Sequence, residues 1–249
     1  MKILIVGAGG MLGKAFIKAS KKKHNFVTLD LTKDDVKEYA PIAALFAEHK
    51  FDAVLNLTAE GNFGAQTTAE DLNLFKNLQY AAILNGVKNM VTAVDAGTEP
   101  GLFDPLLLEL IQKDKIGSAL RIFGLYGTGG NPKSNPLAKI MADAKKKGVV
   151  TLECNREVSA IYVADAVNVI AAFLDKGLPQ GVYDVVPPTT TTLVDIVKSA
   201  RKALKTVELT VKKPQEVASE YIGNGEKLVA VFEKLKFTAL NTGIAKTLE

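Results

Sequence analysis

The first residues with a chemical use are glycines. An apolar run at residues 2–6 breaks into Gly7, Gly9 and Gly10, and the spacing Gly7-x-x-Gly10-x-x-Gly13 leads directly into an amphipathic segment. Glycines at that spacing between a strand and a helix permit a tight turn. They also let a pyrophosphate approach the backbone while the helix N-terminus faces its charge. Gly7 and Gly10 would serve the turn and the approach, and Gly13 would let the helix pack close to the strand. Met11 and Leu12 belong to the same turn. A second apolar run ends at Asp30, followed by Leu31. A carboxylate there would accept hydrogen bonds from an adenosine ribose and repel a 2′-phosphate, which favours NAD over NADP; nearby Lys33 weakens the preference. The plainer alternative is that Asp30 only begins the turn Asp30-Leu31-Thr32.

Those groups need a frame. Apolar runs bounded by turn residues predict strands at 2–6, 26–29, 53–57, 89–94, 119–123, 149–152 and 182–186. Helical periodicity predicts helices at 12–22, 41–49, 68–84, 103–113, 136–147 and 163–174. Such alternation implies an α/β fold, a doubly wound parallel sheet with helices on both faces. Gly127-Thr128-Gly129-Gly130-Asn131-Pro132 reads as a loop, as does Pro187-Pro188 with the threonines after it. Thr192 with Asp195 three residues on reads as a helix start.

Composition narrows the class. With 249 residues, 47% hydrophobic and 23% charged, the chain has enough apolar material for a core and no signature of disorder. The net charge is +4, but lysines cluster at 21–23 and 145–147, where they complement expected helix C-termini; nucleic acid is therefore not an expected partner. Cys154 is the only cysteine, which excludes an internal disulfide and suits a reducing cytoplasm. His24 and His49 stand beside lysines without ligand spacing, so no metal is expected. No apolar stretch reaches the ~18 residues that span a bilayer.

The motifs together carry a resemblance. The opening MKILIVGAGGMLG, the run Ala53-Val54-Leu55-Asn56-Leu57-Thr58-Ala59, and Asn73 and Asn77 in the following helix resemble the extended short-chain dehydrogenase/reductases of the NAD-dependent epimerase/dehydratase superfamily. They resemble most the dTDP-4-dehydrorhamnose reductase branch. So do Arg121 to Tyr126-Gly127, the segment Ile161-Tyr162-Val163-Ala164-Asp165, and a tail that reads like the family's closing helices. The resemblance implies an NAD(P)-binding Rossmann fold with a small C-terminal substrate lobe. The Rossmann domain is expected over 1–126 plus 149–186, and the interwoven lobe over 127–148 plus 187–249. It further implies cofactor contacts at Leu57, Thr58, Ala59 and Val94. A nucleotide sugar would lie near Asn135 and Arg156, with Lys133 and Lys139 available to a diphosphate, although surface charges on any such loop would look the same. Ser159 stands where many members carry an Arg close by.

The family's proton-transfer machinery is another matter. Active members place a Ser or Thr after the fourth strand and a Tyr with a Lys four residues later on the next helix; the Lys tunes the Tyr as general acid. Here the strand ends Ala93-Val94-Asp95, and none of the six tyrosines is followed by Lys at that spacing. Asp95, Glu99 and Tyr126 remain as candidate acids, each with a structural explanation as well. Two functions stay open. One is a dinucleotide-binding protein with a degenerate site, sensing the cofactor or supporting a partner. The other is an active oxidoreductase reducing a 4-keto nucleotide sugar through a different proton donor. Family members often dimerise through the helices matching 68–84 and 103–113, so a homodimer is an expectation too.

Overall fold

The computed structural model describes residues 1–29, 38–58, 68–96, 104–114, 117–205, 207–219, 222–232 and 234–249. The large sheet is built from β1 (Lys2–Val6), β2 (Asn25–Leu29), β3 (Ala53–Asn56), β4 (Asn89–Asp95), β5 (Gly117–Ile122) and β9 (Gly181–Val185), in the order β2-β1-β3-β4-β5-β9. Every neighbouring pair is parallel. Strand side chains alternate between faces, so β1 feeds two cores. Ile3 and Ile5 pack with α1 (Met11–Ser20) and α6 (Val163–Lys176) on one face. Leu4 and Val6 pack with α2 (Tyr39–Glu48), α3 (Ala69–Leu84) and α4 (Asp104–Asp114) on the other. This is the doubly wound Rossmann arrangement that the sequence predicts.

A second layer follows β5. The short strands β6 (Leu125–Tyr126) and β8 (Ile161–Tyr162) pair with each other. A three-stranded sheet, β10-β7-β11, is made of β7 (Val149–Val158), β10 (Thr191–Thr192) and β11 (Glu208–Ser219). Helices α5 (Pro136–Lys147), α7 (Leu193–Leu204) and α9 (Leu240–Leu248) cover it, with Leu137, Ile140, Val150, Leu152, Ile196 and Ile244 in a common core. The short α8 (Glu226–Val231) lies against β9. The predicted strand at 149–152 exists but is longer, and it pairs in the small sheet, not the large one. Strand pairing therefore groups 149–158 with residues 191–192 and 208–219. Among the described residues no helix is long and apolar enough to cross a membrane.

Helix starts follow local chemistry. Thr68 accepts from the Asp71 amide and Asp71 accepts from the Thr68 amide, a reciprocal cap on α3. The predicted start at Thr192 holds: its hydroxyl accepts from the Asp195 amide at 3.1 Å. α1 is different. It begins at Gly10 with no side-chain cap and no acid in its first turn.

Candidate functional site

In the strand order, the chain runs from β1 outward to β2 and then returns across β1 to β3. The carboxyl ends of β1 and β3 are thus the point where the winding reverses, the place where open α/β sheets form a binding crevice. The glycine turn lies there. Gly7 has φ +83°, and a Cβ on it would stand 2.8 Å from the carbonyl carbon and oxygen of Leu57 and 3.1 Å from the Thr58 nitrogen. Only glycine fits without displacing β3. The Leu57 amide donates to the Val6 carbonyl at 2.9 Å, and the Thr58 hydroxyl donates to Oδ1 of buried Asn56 at 2.9 Å. Gly7, Leu57 and Thr58 are therefore one contiguous surface.

Across the turn, the Gly10 amide donates to the Gly7 carbonyl at 3.2 Å. A Cβ on Gly13 would stand 2.7 Å from that same carbonyl oxygen, so α1 starts hard against the strand end. Met11 and Leu12 have buried side chains, and the Met11 sulfur lies 3.6 Å from where Cβ atoms on Gly127 or Gly130 would be. Val94 is buried in the core on the α3 and α4 side. Asp30, Leu31, Ala59 and Glu99 lie outside the described residues.

The other two candidate acids are in unlike places. Asp95 ends β4, half-buried, opposite Ile122 of β5. Tyr126 is 3% exposed in the core of the small-sheet layer. Its ring packs 5.6 Å from that of Tyr162, and a Cβ on Gly243 of α9 would collide with its hydroxyl. Burial, with Asp165 and Tyr162 adding, pushes the Tyr126 hydroxyl far above the ordinary phenol range. That places it well away from the neutral pKa that suits a general acid. Asp165 in turn accepts from the amide and hydroxyl of Thr238, holding the tail before α9.

On the substrate side, Asn135 is 4% exposed and both ends of its amide are used. Nδ2 donates to the Leu125 carbonyl and Oδ1 accepts from the Ala138 amide, each at 2.9 Å. It caps α5 and ties it to β6. Lys139 and Arg156 are brought together: both line a cavity of about 320 Å³ between α5 and β7, walled by Leu137, Ile140, Val150 and Leu152. Lys133 is exposed on the loop before α5.

A second cavity, about 580 Å³, has Pro187, Pro188, Ile222, Asn224 and Glu226 in its wall. Sequence reasoning did not find its far side. Residues 222–230 reach it through a bridge: Nε of Arg121 donates to Asp184 Oδ1 at 2.6 Å, and Asp184 Oδ2 accepts from the Asn224 amide at 2.9 Å. Arg121 was legible as part of a family motif, but its partners are remote in sequence and carry no local signal.

The family model for the RmlD substrate binding domain matches residues 1–96. No curated protein sequence matches the chain. Among solved structures, UDP-glucose 4-epimerase from Thermotoga maritima with UDP-glucose has TM-score 0.83 at 15% identity, covering 100% of this chain and 97% of that one. The Thermus thermophilus UDP-glucose 4-epimerase, in complex with NAD, has TM-score 0.78 at 18% identity, covering 100% and 98%. A GDP-L-fucose synthetase from Naegleria fowleri bound to NADP has TM-score 0.78 at 14% identity, covering 99% and 91%. The chain thus has the Rossmann fold of the NAD(P)-binding nucleotide-sugar epimerases and dehydratases, and its first 96 residues match the RmlD family.

Proposed function

We propose that the protein binds a nicotinamide dinucleotide over the Gly7–Gly13 turn, NAD in preference to NADP, and belongs functionally with the nucleotide-sugar reductases and epimerases while having a degenerate active site. It works in the cytoplasm as a cofactor sensor or supporting subunit. The observation that carries this is the glycine turn at the winding reversal. Gly7 and Gly13 leave no room for a Cβ between the end of β1, Leu57 and α1, and α1 starts there with no side-chain cap. An anion supplies what a capping side chain supplies elsewhere.

Titration with NADH and NADPH, followed by fluorescence or calorimetry, tests the reading. Absence of binding to either at millimolar concentration overturns it. Asp30→Ala is expected to remove the NAD preference. A second reading, an active 4-keto nucleotide-sugar reductase, is favoured by one observation: Asp95 ends the strand after which the family keeps its catalytic Ser or Thr. Sustained cofactor oxidation with a panel of 4-keto nucleotide sugars, abolished in Asp95→Ala, would decide for it.

A homodimer is part of the same proposal. Tyr80, Ile83 and Leu84 form an exposed stripe at helical spacing on α3, with Leu106 exposed on α4. Sedimentation showing a monomer at micromolar concentration would remove that part.

A further inference from the structure

The helix α6 runs between two rows of lysines. On one side it packs against α1, over the same face of the large sheet. Lys14 and Lys18 stand exposed on α1, and residues 21–23, all exposed lysines, follow its end. His24 comes next and pairs with Asp175 in the last turn of α6 at 3.1 Å, so this row follows one flank of α6. The other flank has a row of its own. α8 lies against β9, on the far side of α6 from α1, and the chain leaving it returns along α6. The return is tied at both ends: Lys176 Nζ lies 4.6 Å from the Phe232 ring centroid, and Asp165 accepts from the Thr238 amide at 2.7 Å. Between those ties Leu235 and Phe237 pack into the core while Lys234 and Lys236 stand exposed.

Among the described residues none of these exposed lysines has an ion pair. The carboxylates of α6 are already engaged, Asp165 by Thr238 and Asp175 by His24. Helix ends account for too little of the charge. A helix C-terminus carries about half a negative charge, felt within its last turn, which covers Lys18 and Lys21. Lys14 sits in the first turn of α1, where the dipole disfavours a cation, and Lys234 and Lys236 belong to no helix. Gathered like charges repel, so the two rows call for an anionic partner. Between them the outer face of α6 presents Ala164, Asn168 and Ala171, uncharged and at helical spacing. A second helix lying along that face, at about 8–10 Å between axes, would set its two edges against the two rows. The rows hold no arginine and no exposed aromatic ring, the groups that read or stack nucleic-acid bases. Nor do they hold an exposed large apolar side chain to enter a bilayer.

We propose that the face of α6 between the two lysine rows is the docking surface for an acidic amphipathic helix of a partner protein, whose carboxylates flank its contact stripe on both sides. This rests on the supporting-subunit part of the proposed function and gives that part an interface.

The probe is a labelled synthetic helical peptide with alanine and leucine along one stripe and glutamate along both edges of it, followed by fluorescence anisotropy. Oligouridylate and phosphatidylglycerol vesicles are the competing probes, and NADH is titrated in parallel. The peptide should bind more tightly than either competitor and lose affinity as salt rises, because exposed charges are screened. Lys18→Glu with Lys22→Glu, and separately Lys234→Glu with Lys236→Glu, should each weaken peptide binding about 10-fold. Asn168→Trp fills the face without changing its charge and should weaken binding about as much. NADH affinity and melting temperature should stay at wild-type values in all three. Tighter binding of oligouridylate or vesicles than of the peptide would overturn the choice of partner. Undiminished peptide binding in Asn168→Trp or in either lysine pair would overturn the placement on α6. A lower melting temperature in a lysine pair would show those lysines already balanced within the chain, and would overturn it too. NADH binding without peptide binding at low salt would overturn the docking surface and leave the cofactor reading standing; peptide binding without NADH binding would do the reverse.

Discussion

Two glycines mark two close crossings of the chain, and they are used differently. At Gly7 the strand end runs against Leu57, and beyond it an uncapped helix start opens at the edge of the sheet. At Gly124 the chain runs against Ser159, and β6 and β8 then pair beside the crossing. The first is followed by a helix start without a side-chain cap. The second places Ser159 in the wall of two cavities. Close backbone approach thus fixes the position of whatever follows the crossing, a helix start in one case and a side chain in the other.

The comparison breaks most directly at the glycines themselves. Gly124→Ala combines a positive φ with a collision against backbone, and should cost about 3–5 kcal/mol or abolish folding. Gly7→Ala, whose Cβ contacts are longer, should cost about 2–4 kcal/mol in urea unfolding. If Gly124→Ala proved milder than Gly7→Ala, the second crossing would be the adaptable one. Gly10→Val sharpens the functional half. Gly10 has ordinary extended dihedrals, φ −70° and ψ 174°, so the fold should persist while NADH affinity falls at least about 100-fold. A folded Gly10→Val protein with wild-type affinity would place the dinucleotide elsewhere.

Smaller effects test the capped helices that the α1 start is compared with. Thr192→Ala should cost about 1 kcal/mol of stability. Asp195 adds a pH signature, because its hydrogen bonds from Thr192 and then Lys198 hold its carboxyl below the usual range. A lowered folded pKa contributes stability above the unfolded value, lost as pH falls through the folded one. Thr192→Ala should therefore lose less stability on acidification than the wild type does, read as melting temperature against pH. Smallest of all, Gly9→Ala should lie within about 0.5 kcal/mol of wild type, since a Cβ there meets nothing within 4 Å.

What the sequence made legible was whatever chemistry is local. The apolar runs at 2–6 and 53–57 are buried on both faces in the large sheet, so they read as strands without any tertiary knowledge. Helix α5 was predicted over its observed range, 136–147, because Pro136 opens it and Gly148 closes it. β11 was missed for a physical reason. Glu208–Ser219 includes Lys212, Lys213, Pro214 and Gln215, and its register against β7 shifts between Lys213 and Val217, around a proline with no amide to give. β7 was cut short at 152 because Glu153, Asn155 and Arg156 mask an alternation in which Val150, Leu152 and Cys154 face inward. At the candidate site the glycine turn was readable within seven residues. The meeting of Ser159 with the Pro187 loop and the Asn224 segment was not, because only the folded chain brings them together.

The order β2-β1-β3-β4-β5-β9 has a consequence for synthesis. β9 pairs with the edge of β5, yet it is made only after α5, β7, β8 and α6. A chain that has emerged as far as Tyr126 therefore carries five strands with β5 unpaired on one side, its Ala119, Leu120 and Ile122 awaiting burial. An open apolar edge of that kind pairs readily with other chains. Only part of the second layer, β6, α5, β7 and β8, must be translated before the first can close, and a fragment cut after Tyr126 should aggregate instead of folding alone.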